Sequence, residues 1–278
     1  MKRRPTQKDW LPLSRSETGA VELPTGAAFR PEWIDFEHGI RVGNLEPHER
    51  ITQILKYGLE QRHDVKFVTD RWGRGVFWQW ICWLPRPNRE AKPQSSHTNF
   101  GCAKLFISLD RARREFQCGF TVERGYVRGR PSIPGIILKP DWDWHRLMKR
   151  CAAGTRLDAE LRRLIAREGF HATVTGATGT RRFTRANFKG AGQIRTAARG
   201  APPADWAGFS LFYPMPEKEI RSSSGYELVR GIQGAFTEVT PAMNLCMQVP
   251  LSLAVDRGLP DEKGQDHAHH GETEENGQ

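Results

Sequence analysis

Residues 100–127 read FGCAKLFISLDRARREFQCGFTVERGYV. Two arms rich in aromatic and β-branched side chains flank the polar pentapeptide Asp110-Arg111-Ala112-Arg113-Arg114, which is short enough to close a β-hairpin. Upstream, residues 65–69 and 76–84 have the same strand character. They are set apart by Arg71-Trp72-Gly73-Arg74-Gly75 and followed by a Pro-rich stretch at 85–93. These four segments follow one another without the long helical crossovers that parallel neighbours require, so the pattern predicts an antiparallel meander.

Helical signals lie on both sides of this block. Pro47 suits a first helical turn, and Ile51, Ile54, Leu55 and Leu59 then share one face until about residue 63. Asp141 opens a short helix towards Cys151. A second helix spans 155–168, with Thr155 and Asp158 as a capping box, Leu157, Leu161, Leu164 and Ile165 as its apolar stripe and Gly169 as its stop. Strands are expected at 170–175 and 206–213. Ser224 and Glu227 cap a last helix carrying Leu228, Val229, Ile232, Phe236 and Val239, expected to end at Pro241. The expectation is one α+β domain over 44–255, an antiparallel sheet of about five to six strands flanked by helices.

Residues 1–43 mix Pro5, Pro12, Pro24 and Pro31 with isolated Trp10, Leu13, Trp33 and Phe36, a pattern expected of an extended arm laid over a core. Residues 256–278 hold seven acidic and two basic side chains with almost nothing apolar, so burial cannot offset the entropy of ordering them and a disordered acidic tail is expected. Counted with its 27 Gly and without its 4 Tyr, the apolar share of the 278 residues rises from 38% to about 46%, which excludes wholesale disorder.

No apolar run approaches the roughly 18 residues of a membrane span. Polar Pro5-Thr6-Gln7-Lys8-Asp9 follows the basic amino terminus where a signal peptide needs an apolar core. The expected compartment is the cytoplasm, without a membrane partner. Cys82, Cys102, Cys118, Cys151 and Cys246 are odd in number and contain no Cys-x-x-Cys pair, so buried reduced thiols are expected rather than disulfides or zinc ligands.

Charge is the feature that bears on function. Of a formal net charge of +10, residues 101–204 contribute 21 Lys and Arg against 8 Asp and Glu, while the rest of the chain is slightly acidic. Between Glu168 and Asp205 no acidic residue occurs. That span reads as a long irregular Gly/Arg-rich loop at 176–204. It carries Arg181, Arg182, Arg185, Lys189, Arg195 and Arg199 among glycines, with Phe183 and Phe188 interleaved. Guanidinium forks match phosphate oxygens, glycines let backbone N–H groups come close, and aromatic rings stack on unpaired bases. The expected partner is DNA or RNA, held through Arg181, Arg182, Phe183, Arg185, Lys189, Arg195 and Arg199. The same charge suits an acidic protein partner or the chain's own tail. Arg111, Arg113 and Arg114 at the hairpin tip, with Arg124, Arg128 and Arg130 beyond the next strand, would extend the field.

Other motifs are better explained structurally. Trp78, Trp80 and Trp83 lie in a strand apolar on both faces and belong in a core, while Trp72, between two arginines, is the better candidate for an exposed stacking residue, although the favoured expectation even there is a cap over the core. Asp141 and His145 share a helical face, but Asp141 is accounted for as a cap, and His97 near Cys102 lacks a further ligand. Glu90-Ala91-Lys92, with Asp70 upstream, formally matches the carboxylate-x-Lys element of metal-dependent nucleases. It lies among prolines where a regular strand is disfavoured, and Asp261-Glu262-Lys263 falls in the acidic tail. Phosphate-loop, nucleophile-elbow and His-Glu-x-x-His motifs are missing. The expectation is a non-catalytic nucleic-acid-binding protein without a cofactor. A metal-dependent enzyme acting on nucleic acid and an accessory protein with an acidic partner are the alternatives.

Overall fold

The computed structural model describes residues 26–92, 98–124, 142–176, 179–202 and 205–254. The hairpin read from residues 100–127 is its centre. β5 (Lys104–Asp110) pairs with β6 (Glu115–Glu123) in the register Lys104↔Thr121 to Asp110↔Glu115, and Arg114 turns the corner with a positive φ. β4 (Phe77–Pro85) borders β5, and β3 (Phe67–Arg74) lies on the other edge of β4. On the far side of β6 stands β9 (Ala207–Pro216), followed by β7 (His171–Gly176) and then β8 (Gly179–Phe183). A short ribbon of β1 (Ile34–Asp35) and β2 (Gly39–Arg41) continues along β4 beside β5.

Every pairing is antiparallel, as expected, but the described residues form nine strands rather than five or six. The three extra strands lack the apolar alternation that marks a strand. β1 and β2 are two and three residues long, and β8 reads Gly-Thr-Arg-Arg-Phe. Within the expected arm, Ile34–Asp35 and Gly39–Arg41 join the sheet as this ribbon; residues 1–25 and 255–278, including the expected acidic tail, lie outside the described residues.

The helices gather on one face. α1 (Ile51–His63), α3 (Asp143–Arg150), α4 (Arg156–Arg162), α5 (Ala191–Arg199), α6 (Glu217–Ser222) and α7 (Gly225–Cys246) send their buried apolar side chains into one core with Ile81, Trp83, Leu105, Ile107, Phe120, Leu211 and Val174. The opposite face carries a small cluster of Cys82, Leu84, Cys102, Phe106 and Phe212. Trp83 is fully buried, its indole N–H donating to the Thr52 carbonyl of α1 at 3.2 Å. Trp78 and Trp80 are half-buried. Trp72 is 69% exposed and so covers no core. At Gly119 β6 leaves no room for a side chain against β9, since a Cβ there would run into the Leu211 carbonyl.

The helix signals are largely met, with instructive departures. Thr155 accepts from the Asp158 N–H, Ser224 and Glu227 form a reciprocal capping box, and Gly169 takes the positive φ expected past a helix end. α7 passes through Pro241 instead of stopping there. Proline inside a helix costs about 3 kcal/mol, but the next turn buries Ala242, Met243 and Cys246 completely, and one buried Met alone contributes about 1.5–3 kcal/mol.

The Pro-rich stretch contains α2 (Arg86–Glu90). Its Asn88 and the following Lys92 meet Asp143 in a buried polar knot. Asp143 is thus engaged in the first turn of α3, which follows Trp142 at the N-cap; Asp141 lies outside the described residues, as does His97. All five cysteines are buried thiols, and burial pushes the Cys102 thiol to about 11 and the Cys151 thiol to about 12. Among the described residues no helix is long and apolar enough to cross a membrane.

Candidate nucleic-acid interface

Residues 176–204 are not one irregular loop. Within them the chain forms β8, a compact turn and α5. The acid-free composition concealed this order, because β8 is half-paired through its backbone and needs only one buried side chain. That side chain is Phe183, 1% exposed and packed edge-to-face on Phe188 with ring centroids 6.3 Å apart. A ring so placed cannot stack on a base, which corrects the expectation for Phe183.

Alternation along β8 sends Arg181 and Arg182 to opposite faces. Arg182 projects away from the helices, donates to both Glu115 oxygens at 2.8 and 3.0 Å and to His171 Nδ1 at 3.1 Å. Burial, then the adjacent Arg182 cation, pull the His171 pKa down. With its guanidinium committed to a forked internal ion pair, Arg182 leaves the set of phosphate ligands.

After β8 the chain turns tightly. Thr184 N–H donates to Asn187 Oδ1 at 2.7 Å, Asn187 Nδ2 to the Arg182 carbonyl at 3.0 Å, and Phe188 N–H to the Thr184 carbonyl at 2.9 Å. Arg185 stands exposed on this turn. Lys189 follows, also exposed, its N–H bonded to Gln193 Oε1 at 2.6 Å. Gly190 has φ +148°, and a Cβ there would strike the Arg162 guanidinium and Asp158.

The N-terminus of α5 is already occupied by an anion. Asp158 Oδ1 accepts from Ala191 N–H at 2.7 Å, and Oδ2 from Arg162 Nε at 3.1 Å. Burial alone would raise the Asp158 carboxyl, but these hydrogen bonds and the Arg162 charge hold it below the usual carboxylate range. One carboxylate thus satisfies α5 where a phosphate would otherwise bind.

What remains is an exposed rim of Arg181, Arg185, Lys189 and Arg199, with Arg195 half-exposed on α5. None of the five makes an ion pair among the described residues. Arg181 lies over the Phe183 ring, 5.2 Å from its centroid.

Beside Arg181, β7, β8 and the last turn of α5 enclose a cleft of about 220 Å³. Its lining is Val174, Thr175, Gly176, Gly179, Thr180, Arg181, Ala197 and Ala201. The sequence marked Gly176 and Gly179 only as glycines of a basic span and did not join them to Val174 or to Ala197 and Ala201, which come from another part of the fold.

The other cationic groups do different work. At the β5–β6 tip, Arg114 pairs with Glu217 and Glu37, Arg113 with Asp110 at 3.4 Å, and Arg111 donates to the His38 carbonyl at 2.7 Å. These bonds fasten the β1–β2 ribbon and α6 to the sheet. The tip also lies at the opposite end from the β7–β8 turn, since Glu115 faces Pro216 while Gly176 faces Ala207 on the shared strand β9. Arg124 donates to the carbonyls of Ala201, Pro202 and Asp205. Arg128 and Arg130 lie outside the described residues.

Among the described residues no three His, Cys, Asp or Glu side chains converge as a metal-binding group. Glu90 pairs with Arg86 at 2.7 Å, whereas Lys92 is buried against Asp143 at 3.1 Å, so the carboxylate-x-Lys match is split between two unrelated contacts. Comparison with protein-family models, with curated proteins and with solved structures finds no match. Fold and site together define a helix-backed antiparallel sheet whose edge strand and adjoining helix carry a basic rim.

Proposed function

We propose that this protein binds nucleic acid through its phosphates along the β8–α5 rim, acting as a binding protein without a catalytic centre of its own. The observation that carries this reading is the contrast between cations. Those at the β5–β6 tip are consumed by internal carboxylates and carbonyls, whereas Arg181, Arg185, Lys189 and Arg199 are exposed in an acid-free segment without ion-pair partners among the described residues. Folding spends nothing on these four charges, so their field is open to an external polyanion.

The test is a fluorescence-anisotropy salt titration with labelled single- and double-stranded DNA and RNA. Each neutralised phosphate releases condensed counterion, so affinity should fall steeply with salt. Replacing Arg181, Arg185 and Lys189 together with Gln removes three contacts. It should reduce the log-affinity against log-salt slope by about 2.7 on duplex DNA and about 2.1 on a single strand. Arg111→Gln with Arg113→Gln, at the β5–β6 tip where these side chains are engaged internally, should leave that slope unchanged. Absence of binding at low salt, or a wild-type slope in the triple variant, would refute the assignment.

The acidic residues 256–278 provide a further test. Seven Asp and Glu against two basic residues compete with phosphates for the same cations by long-range attraction. Truncation after Val255 is expected to raise affinity at low salt, with little effect above about 0.5 M, where screening is short-ranged. Equal affinity of the full and truncated chains at low salt would show that tail and rim do not interact.

A further inference from the structure

We infer that the cleft beside Arg181 receives one unpaired nucleobase, so that the protein prefers single-stranded to duplex nucleic acid. This inference rests on the nucleic-acid reading and specifies the form of the ligand.

At about 220 Å³ the cleft is smaller than the roughly 300–1,000 Å³ pockets that take drug-sized molecules. It suits a single planar group. Val174, Ala197 and Ala201 offer apolar contact to the face of such a group, whereas the Thr175 and Thr180 hydroxyls alternate to the other face of the sheet, where they bond each other at 3.1 Å. Gly176 and Gly179 add no side chain to the lining.

Charge divides the site. The cleft is lined by Ala197 in the C-terminal turn of α5, where the carbonyls of Thr196 and Ala197 accept from Gly200 N–H. That end of a helix carries partial negative charge and disfavours an anion. Among the described residues that line the cleft, the one cation is Arg181, which is exposed. A neutral group belongs inside and a phosphate outside on Arg181, which is the order of charge along a nucleotide. In a duplex the bases are stacked and paired, and one would have to be flipped out to enter. A single strand offers its bases without that cost.

Three 15-nucleotide probes on the unaltered protein test this: oligo(dT), the same strand with abasic sites at alternate positions, and a 15-base-pair duplex. The abasic strand keeps the phosphates but lacks half of the bases. Oligo(dT) should bind at least about fivefold more tightly than either of the others, the low end of what one well-held base contributes. Ala197→Leu fills the cleft from α5 with a residue of good helix propensity, and should abolish that preference while leaving the salt slope on duplex as it was. Equal affinity for intact and abasic strands in the unaltered protein overturns the cleft assignment and leaves the phosphate rim standing. So does a preference that survives Ala197→Leu in a folded variant. Absence of binding to all three probes overturns the nucleic-acid reading itself, and the cleft assignment with it.

Discussion

Asp143→Ala is expected to destabilise the protein by about 3–5 kcal/mol, the effect of removing one partner from a buried ion pair. The Asp143 and Lys92 side chains are both 0% exposed and stand 3.1 Å apart. The carboxylate also accepts from Asn88 Nδ2 at 2.7 Å and from the N–H groups of Ala103 at 2.6 Å and Gln248 at 2.9 Å. Alanine would leave the Lys92 charge and two backbone donors buried without these acceptors, at the point where α2, the entry to β5, α3 and the segment after α7 are tied together. For a chain of this size the loss corresponds to a fall in Tm of roughly 6–20 °C. Urea unfolding would measure it directly, and a change below about 1 kcal/mol would mean that the knot is incidental to folding.

Phe183→Ala is the second large effect, and its form separates the tertiary structure from the linear pattern. A base-stacking Phe183 would lose single-strand affinity selectively, at unchanged stability. Buried to 1% against Phe188, it should instead lose about 3–5 kcal/mol of stability, as large-to-small core substitutions of Phe do. Any loss of binding should then affect single strands and duplex alike and disappear at lower temperature, where the variant refolds. A stable variant with a selective single-strand defect would put the ring in solvent and return it to the interface.

The central hairpin was legible because its signals are local. Alternation of aromatic and β-branched residues around a charged turn needs no tertiary context, and neither do the Thr155 and Ser224 caps, whose partners lie three residues away. Pro241 misled for the complementary reason. A local rule ends the helix there, whereas Ala242, Met243 and Cys246 continue it through burial against elements distant in sequence. β8 was missed because an edge strand is specified by its backbone pairing to β7 more than by its side chains.

The basic segment divides along the same line. Its positive charge and lack of acidic residues are properties of composition, visible before any folding. Which cations remain outward is not. Glu115 reaches Arg182 across 67 positions, and Glu37 and Glu217 reach Arg114 across 77 and 103, so the pairing that silences some arginines and leaves Arg181, Arg185, Lys189 and Arg199 exposed is long-range.

By itself, then, the amino-acid sequence determined the α+β class, the antiparallel hairpin at its centre, the helix caps and the location of the excess charge, because each follows from neighbours within about ten residues. Only the tertiary structure decided that β9 inserts between β6 and β7, that Phe183 is core, that Asp158 fills the α5 N-terminus and that a cleft opens beside Arg181. Those features depend on which distant segments meet, and burial and ion pairing are settled by that meeting.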